Sequence, residues 1–120
     1  MTLQHAALET APADREALVA FFTLLGFEEV EPPGELGERS RWLAREGTQI
    51  HVLFADDAVA PPQGHVAVVA PDYDEAMERL RAAGFEPDER TQHWGAPRSF
   101  VRAPGGHRVE VMAAPPGAGA

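Results

Sequence analysis

The feature that most constrains this 120-residue chain is an internal duplication. A repeat of this length means two copies of one supersecondary unit, so it is sought before any single element is assigned. His5-Ala6-Ala7-Leu8 and His65-Val66-Ala67-Val68 are both short strand-like runs that begin with histidine. Each leads into a helix signal. Ala11-Pro12-Ala13-Asp14 puts a proline in a first turn, where its missing N–H costs nothing. Asp72, with Glu75 three residues on, predicts a variant of the capping box. Apolar residues then recur at helical spacing: Leu18, Phe21, Phe22 and Leu25 in the first copy, Tyr73, Ala76, Met77 and Leu80 in the second. Both runs stop at glycine, in Leu25-Gly26-Phe27-Glu28 and Ala83-Gly84-Phe85-Glu86, as a left-handed residue just past a helix end would require.

Three shorter extended segments follow in each copy, at about 28–31, 40–45 and 48–54, then 86–90, 98–102 and 108–113. The copies also end alike, in Gln49-Ile50-His51-Val52-Leu53 and Arg108-Val109-Glu110-Val111-Met112. His5 and His51 are 46 positions apart, and His65 and Glu110 are 45. The reading is an α+β chain of two βαβββ modules forming a curled mixed sheet. Module one covers 3–54, a linker rich in Ala, Asp and Pro covers 55–63, and module two covers 64–113. Residues 1–114 make one domain, and the small, unpatterned tail at 115–120 is expected to be disordered.

Strand side chains alternate between faces, so residue parity assigns each face of the four strands bearing the candidate residues. One face carries Ala6, Leu8, Ile50, Val52, Phe54, Val66, Val68, Ala70, Val109 and Val111, all apolar, and is the face the two helices would cover. The other carries His5, Ala7, Gln49, His51, Leu53, His65, Ala67, Val69, Arg108, Glu110 and Met112. Three histidines and one glutamate therefore share a face at equivalent places in two repeats. A lone strand histidine is more often a satisfied core or surface residue than a ligand, and His51 is the most exposed to that reading. Their shared parity and symmetry favour a site. His93, in an expected loop, and His107, in the turn after Gly106, do not join it.

Composition narrows what such a site can hold. There is no cysteine, hence no disulfide, thiolate ligand or cysteine nucleophile. Histidine and carboxylate ligands suit Zn, Ni, Co, Mn or non-haem Fe. The net charge is −9, with ten Arg and no Lys scattered among nineteen acids, which argues against nucleic acid as a partner. No apolar run approaches the roughly 20 residues of a membrane span, and the first residues lack a signal-peptide pattern. The expectation is a cytoplasmic protein with neither membrane nor nucleic-acid partners.

From Leu3 to Met112 the chain resembles the vicinal oxygen chelate (glyoxalase/bleomycin resistance protein/extradiol dioxygenase) superfamily. The resemblance rests on Leu3-Gln4-His5-Ala6-Ala7-Leu8, Phe21-Phe22-Thr23-Leu24-Leu25-Gly26-Phe27, Gly64-His65-Val66-Ala67-Val68 and the run Phe100–Val111 around Pro104-Gly105-Gly106. It implies a glyoxalase-like fold with one divalent metal ion (Zn, Ni, Co, Mn or Fe) held by His5, His51, His65 and Glu110, the last also the catalytic carboxylate. His51 departs from the glutamate or glutamine usual in relatives, which leaves three or four protein ligands open. Ala103 replaces the usual aspartate of the final turn. Single-domain members usually pair, so a homodimer with sites at the subunit interface is implied.

A small-molecule substrate would lie on the metal, flanked by Leu53, Val69 and Met112, with Trp42, Trp94, Arg98 and Phe100 as wall residues. For Arg98 a solvated strand end is an equal alternative, and for Trp42 and Trp94 plain packing is the more ordinary role. Glu9 stands where glyoxalase I would need an arginine for glutathione, and Val111–Ala114 lacks the cations and hydroxyls of a fosfomycin transferase. The leading expectation is a metal-dependent lyase, isomerase or dioxygenase acting on a small oxygenated metabolite. Its competitor is a non-catalytic protein that sequesters a drug or metabolite, as bleomycin-resistance members do. A structural domain with accidental histidines is the least favoured reading.

Overall fold

The computed structural model describes residues 1–117, so the part of the expected disordered tail at 118–120 lies outside the described residues. The elements in order are β1 (His5–Thr10), α1 (Arg15–Leu24), β2 (Glu28–Val30), β3 (Ser40–Arg45), β4 (Thr48–Phe54), β5 (His65–Val69), α2 (Tyr73–Ala82), β6 (Asp88–Glu89), β7 (Arg98–Arg102) and β8 (Arg108–Met112). Short 3-10 turns at Pro12–Asp14 and Gly34–Glu38 precede α1 and β3. Two compact units are formed: residues 1–60 with 104–106, and residues 61–103 with those from 107 onward.

Each unit has one four-stranded sheet, ordered β1-β4-β3-β2 in the first and β5-β8-β7-β6 in the second. In each, the first strand runs parallel to the last and the remaining pairs are antiparallel. The α+β class and the two βαβββ modules hold. The strands nevertheless form two open rows and not one curled sheet, because each module's first strand takes its own last strand as partner and completes its ladder internally.

The strand registers carry out the parity reading. In the first unit Leu43, Ile50 and Val52 are buried beside Leu18, Phe21 and Phe22 of α1, which packs on β2, β3 and β4. In the second, Val101, Val109 and Val111 are buried on the face where the Tyr73 hydroxyl of α2 meets the buried Ser99 hydroxyl at 2.5 Å. All eight apolar helix-face positions predicted from periodicity, Leu25 included, are buried.

Both helices end in the same way. The Phe27 N–H donates to Phe22 and the Phe85 N–H to Leu80, with Gly26 at φ +90° and Gly84 at φ +93°; this six-to-one closure satisfies carbonyls a helix end would otherwise leave unpaired. At Gly26 the left-handed backbone is not the only demand. The Arg45 guanidinium donates to the Leu25 carbonyl and fills the space a Cβ would take. Gly84 has open space instead.

The capping box predicted at Asp72 does not form. Its side chain makes no cap hydrogen bond and accepts from the Arg79 guanidinium at 2.9 Å, a charge-assisted alternative about two helical turns along. The 28–31 and 86–90 segments shrink to three and two paired residues. Both precede loops with few hydrophobic partners to extend the pairing. Among the described residues no helix is long and apolar enough to cross a membrane.

Candidate functional site

The face opposite the helices carries a polar cluster in each unit. In the first, β3, β4 and β1 run side by side, with Trp42 paired to His51 and His51 to Ala7, so parity brings Trp42, His51 and His5 to one face. The rings form a stack. Trp42 and His51 lie 3.8 Å apart at 5°, and His51 and His5 4.1 Å apart at 16°. His51 is buried and His5 exposed. Each imidazole has one nitrogen taken by a glutamine oxygen, His51 Nε2 by Gln49 and His5 Nδ1 by Gln4, both at 2.7 Å. An amide oxygen accepts, so the ring nitrogen donates and the other nitrogen keeps its lone pair. Burial, and secondarily the neighbouring His5, holds the His51 imidazole below its ordinary pKa. That favours the neutral form a metal requires.

In the second unit, β5, β8 and β7 bring His65, Glu110, Arg98 and Phe100 to the corresponding face. Glu110 is only 6% exposed. Its Oε2 accepts from Arg98 at 3.1 Å, and its Oε1 lies 3.2 Å from His65 Nε2. His65 Nδ1 donates to the Gln63 carbonyl oxygen at 2.8 Å. With Nδ1–H committed, the neutral ring has a lone pair at Nε2, aimed at another acceptor. Two acceptors at that distance repel unless a cation, either a second ring proton or a metal ion, lies between them. An imidazole whose remote N–H is fixed by a backbone carbonyl is also how metal-binding histidines are oriented.

The four predicted ligands are thus divided, His5 with His51 in one unit and His65 with Glu110 in the other. Among the described residues of each unit, metal-type side chains come as a pair and not as a group of three. As they stand, the stacked His5 and His51 rings hold their lone pairs in near-parallel planes, one above the other. Both can serve one ion only if a ring turns, and the exposed His5 is the one with room. The donor set itself, neutral imidazoles with one carboxylate, suits a borderline divalent cation.

The predicted wall residues lie beside these pairs. Trp42 stacks on His51, and Phe100 meets the His65 ring edge-on at 5.0 Å. The Arg98 guanidinium holds Glu110 and sits 5.5 Å from the Trp94 ring, whose Nε1 donates to the Ala114 carbonyl at 2.8 Å. Arg98 is therefore not the solvated strand end that was the alternative. Of the predicted flanking residues, Met112 is buried, whereas Leu53 and Val69 remain exposed.

Sequence reasoning did not single out Gln4, Gln49 and Gln63 as orienting groups, although Gln49 shares His51's parity. His107, at the end of the turn Pro104-Gly105-Gly106-His107 where the sequence reading put it, is buried. Arg90 and Arg108, which lie over the Phe100 ring at 5.1 and 4.2 Å, were not assigned a role either.

Duplicated βαβββ modules, each bearing a histidine-containing polar cluster on the sheet face away from its helix, define a two-module α+β protein of glyoxalase-like fold. The chain belongs to the Glyoxalase/Bleomycin resistance protein/Dioxygenase superfamily, whose model matches residues 2–111. Solved structures agree at the level of the fold. A protein described as of the glyoxalase family from Bacillus anthracis is 24% identical, with TM-score 0.83 and 93% of each chain covered. The oxidase ChaP-H2 is 20% identical, with TM-score 0.76 and 100% of this chain and 98% of that one covered. A lactoylglutathione lyase from Agrobacterium tumefaciens is 22% identical, with TM-score 0.71 and 92% of each covered. No curated protein matches the sequence.

Proposed function

We propose that the protein is a metal-dependent enzyme of the vicinal oxygen chelate type, a lyase, isomerase or dioxygenase acting on a small oxygenated metabolite. The observation that carries this reading is the facing of His65 Nε2 and Glu110 Oε1 at 3.2 Å with Nδ1–H already committed, a geometry that calls for a cation. His65 and Glu110 would hold the ion, with His5 and His51 as the remaining donors, supplied by the same chain or by a second copy in a homodimer. A bound divalent ion supplies a Lewis acid with open positions for two neighbouring oxygens of one substrate.

The protein's own groups do the rest. Arg98 fixes one carboxylate oxygen of Glu110 and leaves the other directed at His65. Beside a bound substrate, that carboxylate oxygen would be placed to accept a proton. Gln4, Gln49 and the Gln63 carbonyl set the ring tautomers. Trp42 and Phe100 each set an aromatic ring beside the histidine of their own unit. Solved structures of the same fold carry both lyase and oxidase names, in keeping with one fold and differing reactions.

The test is elemental analysis of untagged protein purified without chelator, together with its mass in solution. About one Zn, Ni, Co, Mn or Fe per subunit of a dimer, and loss of that ion in the His5→Ala/Glu110→Ala variant, is expected. A chain that stays metal-free when divalent ions are added would overturn the proposal. The second reading, sequestration of a planar drug or metabolite without chemistry, draws on the Trp42–His51–His5 stack, which offers an aromatic floor. It predicts that ligand affinity is unchanged in His65→Ala/Glu110→Ala, which leaves that stack intact, and falls in Trp42→Ala.

A further inference from the structure

The second unit has a groove of about 480 Å³, lined in part by Phe85, Asp88, Arg90, Phe100, Arg102 and Arg108. None of the candidate metal ligands lines it. We propose that this groove is a binding subsite for a small carboxylate with a flat apolar body.

Two independent observations point to an anion. Arg102 and Arg108 are direct cross-strand partners in the β7–β8 hairpin, so two like charges face each other on one side of the sheet. An anion that bridged the two side chains would lower the repulsion between them, and both line the groove. Second, in a chain where acids outnumber arginines nineteen to ten, Arg108 has no ion pair among the described residues. Its guanidinium lies over the Phe100 ring, 4.2 Å from the centroid. Arg90, in contrast, is matched by Asp88 at 3.1 Å. A guanidinium held over a ring leaves N–H groups available for two-pronged recognition of a carboxylate.

The apolar body follows from the walls. Phe85 and Phe100 both line the groove, and Phe100 is the shared wall that also meets His65 edge-on. A carboxylate anchored between Arg102 and Arg108 would lay its body along Phe100. Glu86 lies in the same lining and opposes a second negative charge, which selects for a monoanion over a phosphate dianion. The subsite stands whether or not His65 and Glu110 hold a metal.

The test is an NMR and calorimetric titration of the full, isotopically labelled chain with benzoate in chelator-containing buffer, so that it does not depend on the metal reading. Benzoate is expected to shift the Nε–H signals of Arg102 and Arg108 and the ring signals of Phe100. Neutral benzamide, acetate and inorganic phosphate should each bind at least about tenfold more weakly. Arg108→Gln is expected to weaken benzoate at least about tenfold, Arg108→Lys and Arg102→Gln less, and Arg79→Gln on α2 not at all. The lysine variant, which keeps the charge, covers the case in which Arg108→Gln does not fold. Equal binding of benzoate and benzamide, acetate or phosphate binding as tightly as benzoate, or shifts confined to other residues would overturn the proposal.

Discussion

Replacing Glu110 by glutamine keeps the size of a side chain that is 6% exposed and removes its charge. Its two oxygens serve Arg98 at 3.1 Å and His65 at 3.2 Å, and the Arg98 side chain is itself only 12% exposed. The amide still offers one oxygen to Arg98 and turns its NH2 to the His65 Nε2 lone pair, so the loss is the charge assistance of the Arg98 contact. Hydrogen bonds to charged groups are worth about 1.5–3 kcal/mol, and Arg98 has little water to replace what it loses. A destabilisation of about 1 kcal/mol follows, the gap between a charged and a neutral hydrogen bond, or a fall in Tm of about 4 °C for a domain of this size. Differential scanning fluorimetry in chelator would measure it.

Repeating the scan with a divalent ion at about a hundred times its dissociation constant should raise the wild-type protein by a further ~2.7 kcal/mol. Glu110→Gln should show little of that rise. A variant as stable as wild type in chelator would refute the Arg98–Glu110–His65 account. One that kept the full metal-dependent rise would refute Glu110 as a ligand.

Three further outcomes are expected. Tyr73→Phe leaves the fully buried Ser99 hydroxyl without its partner and should cost about 1–3 kcal/mol, most of it recovered in Tyr73→Phe/Ser99→Ala; chemical denaturation of the four-member cycle would find no coupling if the contact is absent. Gly26→Ala should be more destabilising than Gly84→Ala, since both glycines have a left-handed φ worth about 1–2 kcal/mol but only at Gly26 does the Arg45 guanidinium fill the Cβ space; equal losses would remove the role given to Arg45. The side-chain hydrogen bond from Arg41, reinforced by its charge, holds the Glu29 carboxyl below its ordinary value of 4.5, so the stability it lends is present above 4.5 and is lost as pH falls through the lower folded value. Stability curves of wild type and Arg41→Ala should therefore differ at pH 6 and converge on acidification, and a constant gap would contradict this.

The sequence by itself determined the duplication, both helices with their buried stripes and glycine ends, and which residues face away from the helices. These depend on local periods of 3.6 and 2 and on the conformational freedom of glycine, all of which are written in the order of residues. It did not determine that Asp72 would turn to Arg79, because a cap and an ion pair compete for one carboxylate and only the folded geometry decides. Nor could parity say which residues on a face touch. The stacking of Trp42 on His51, the hold of Arg98 on Glu110 and the opposition of Arg102 to Arg108 all follow from strand order and register. Those are fixed by long-range pairing, in which β4 and β8 sit between partners from distant parts of their modules. Tertiary structure alone brought these groups within reach of one another, because their contacts depend on which strands lie side by side and not on spacing along the chain.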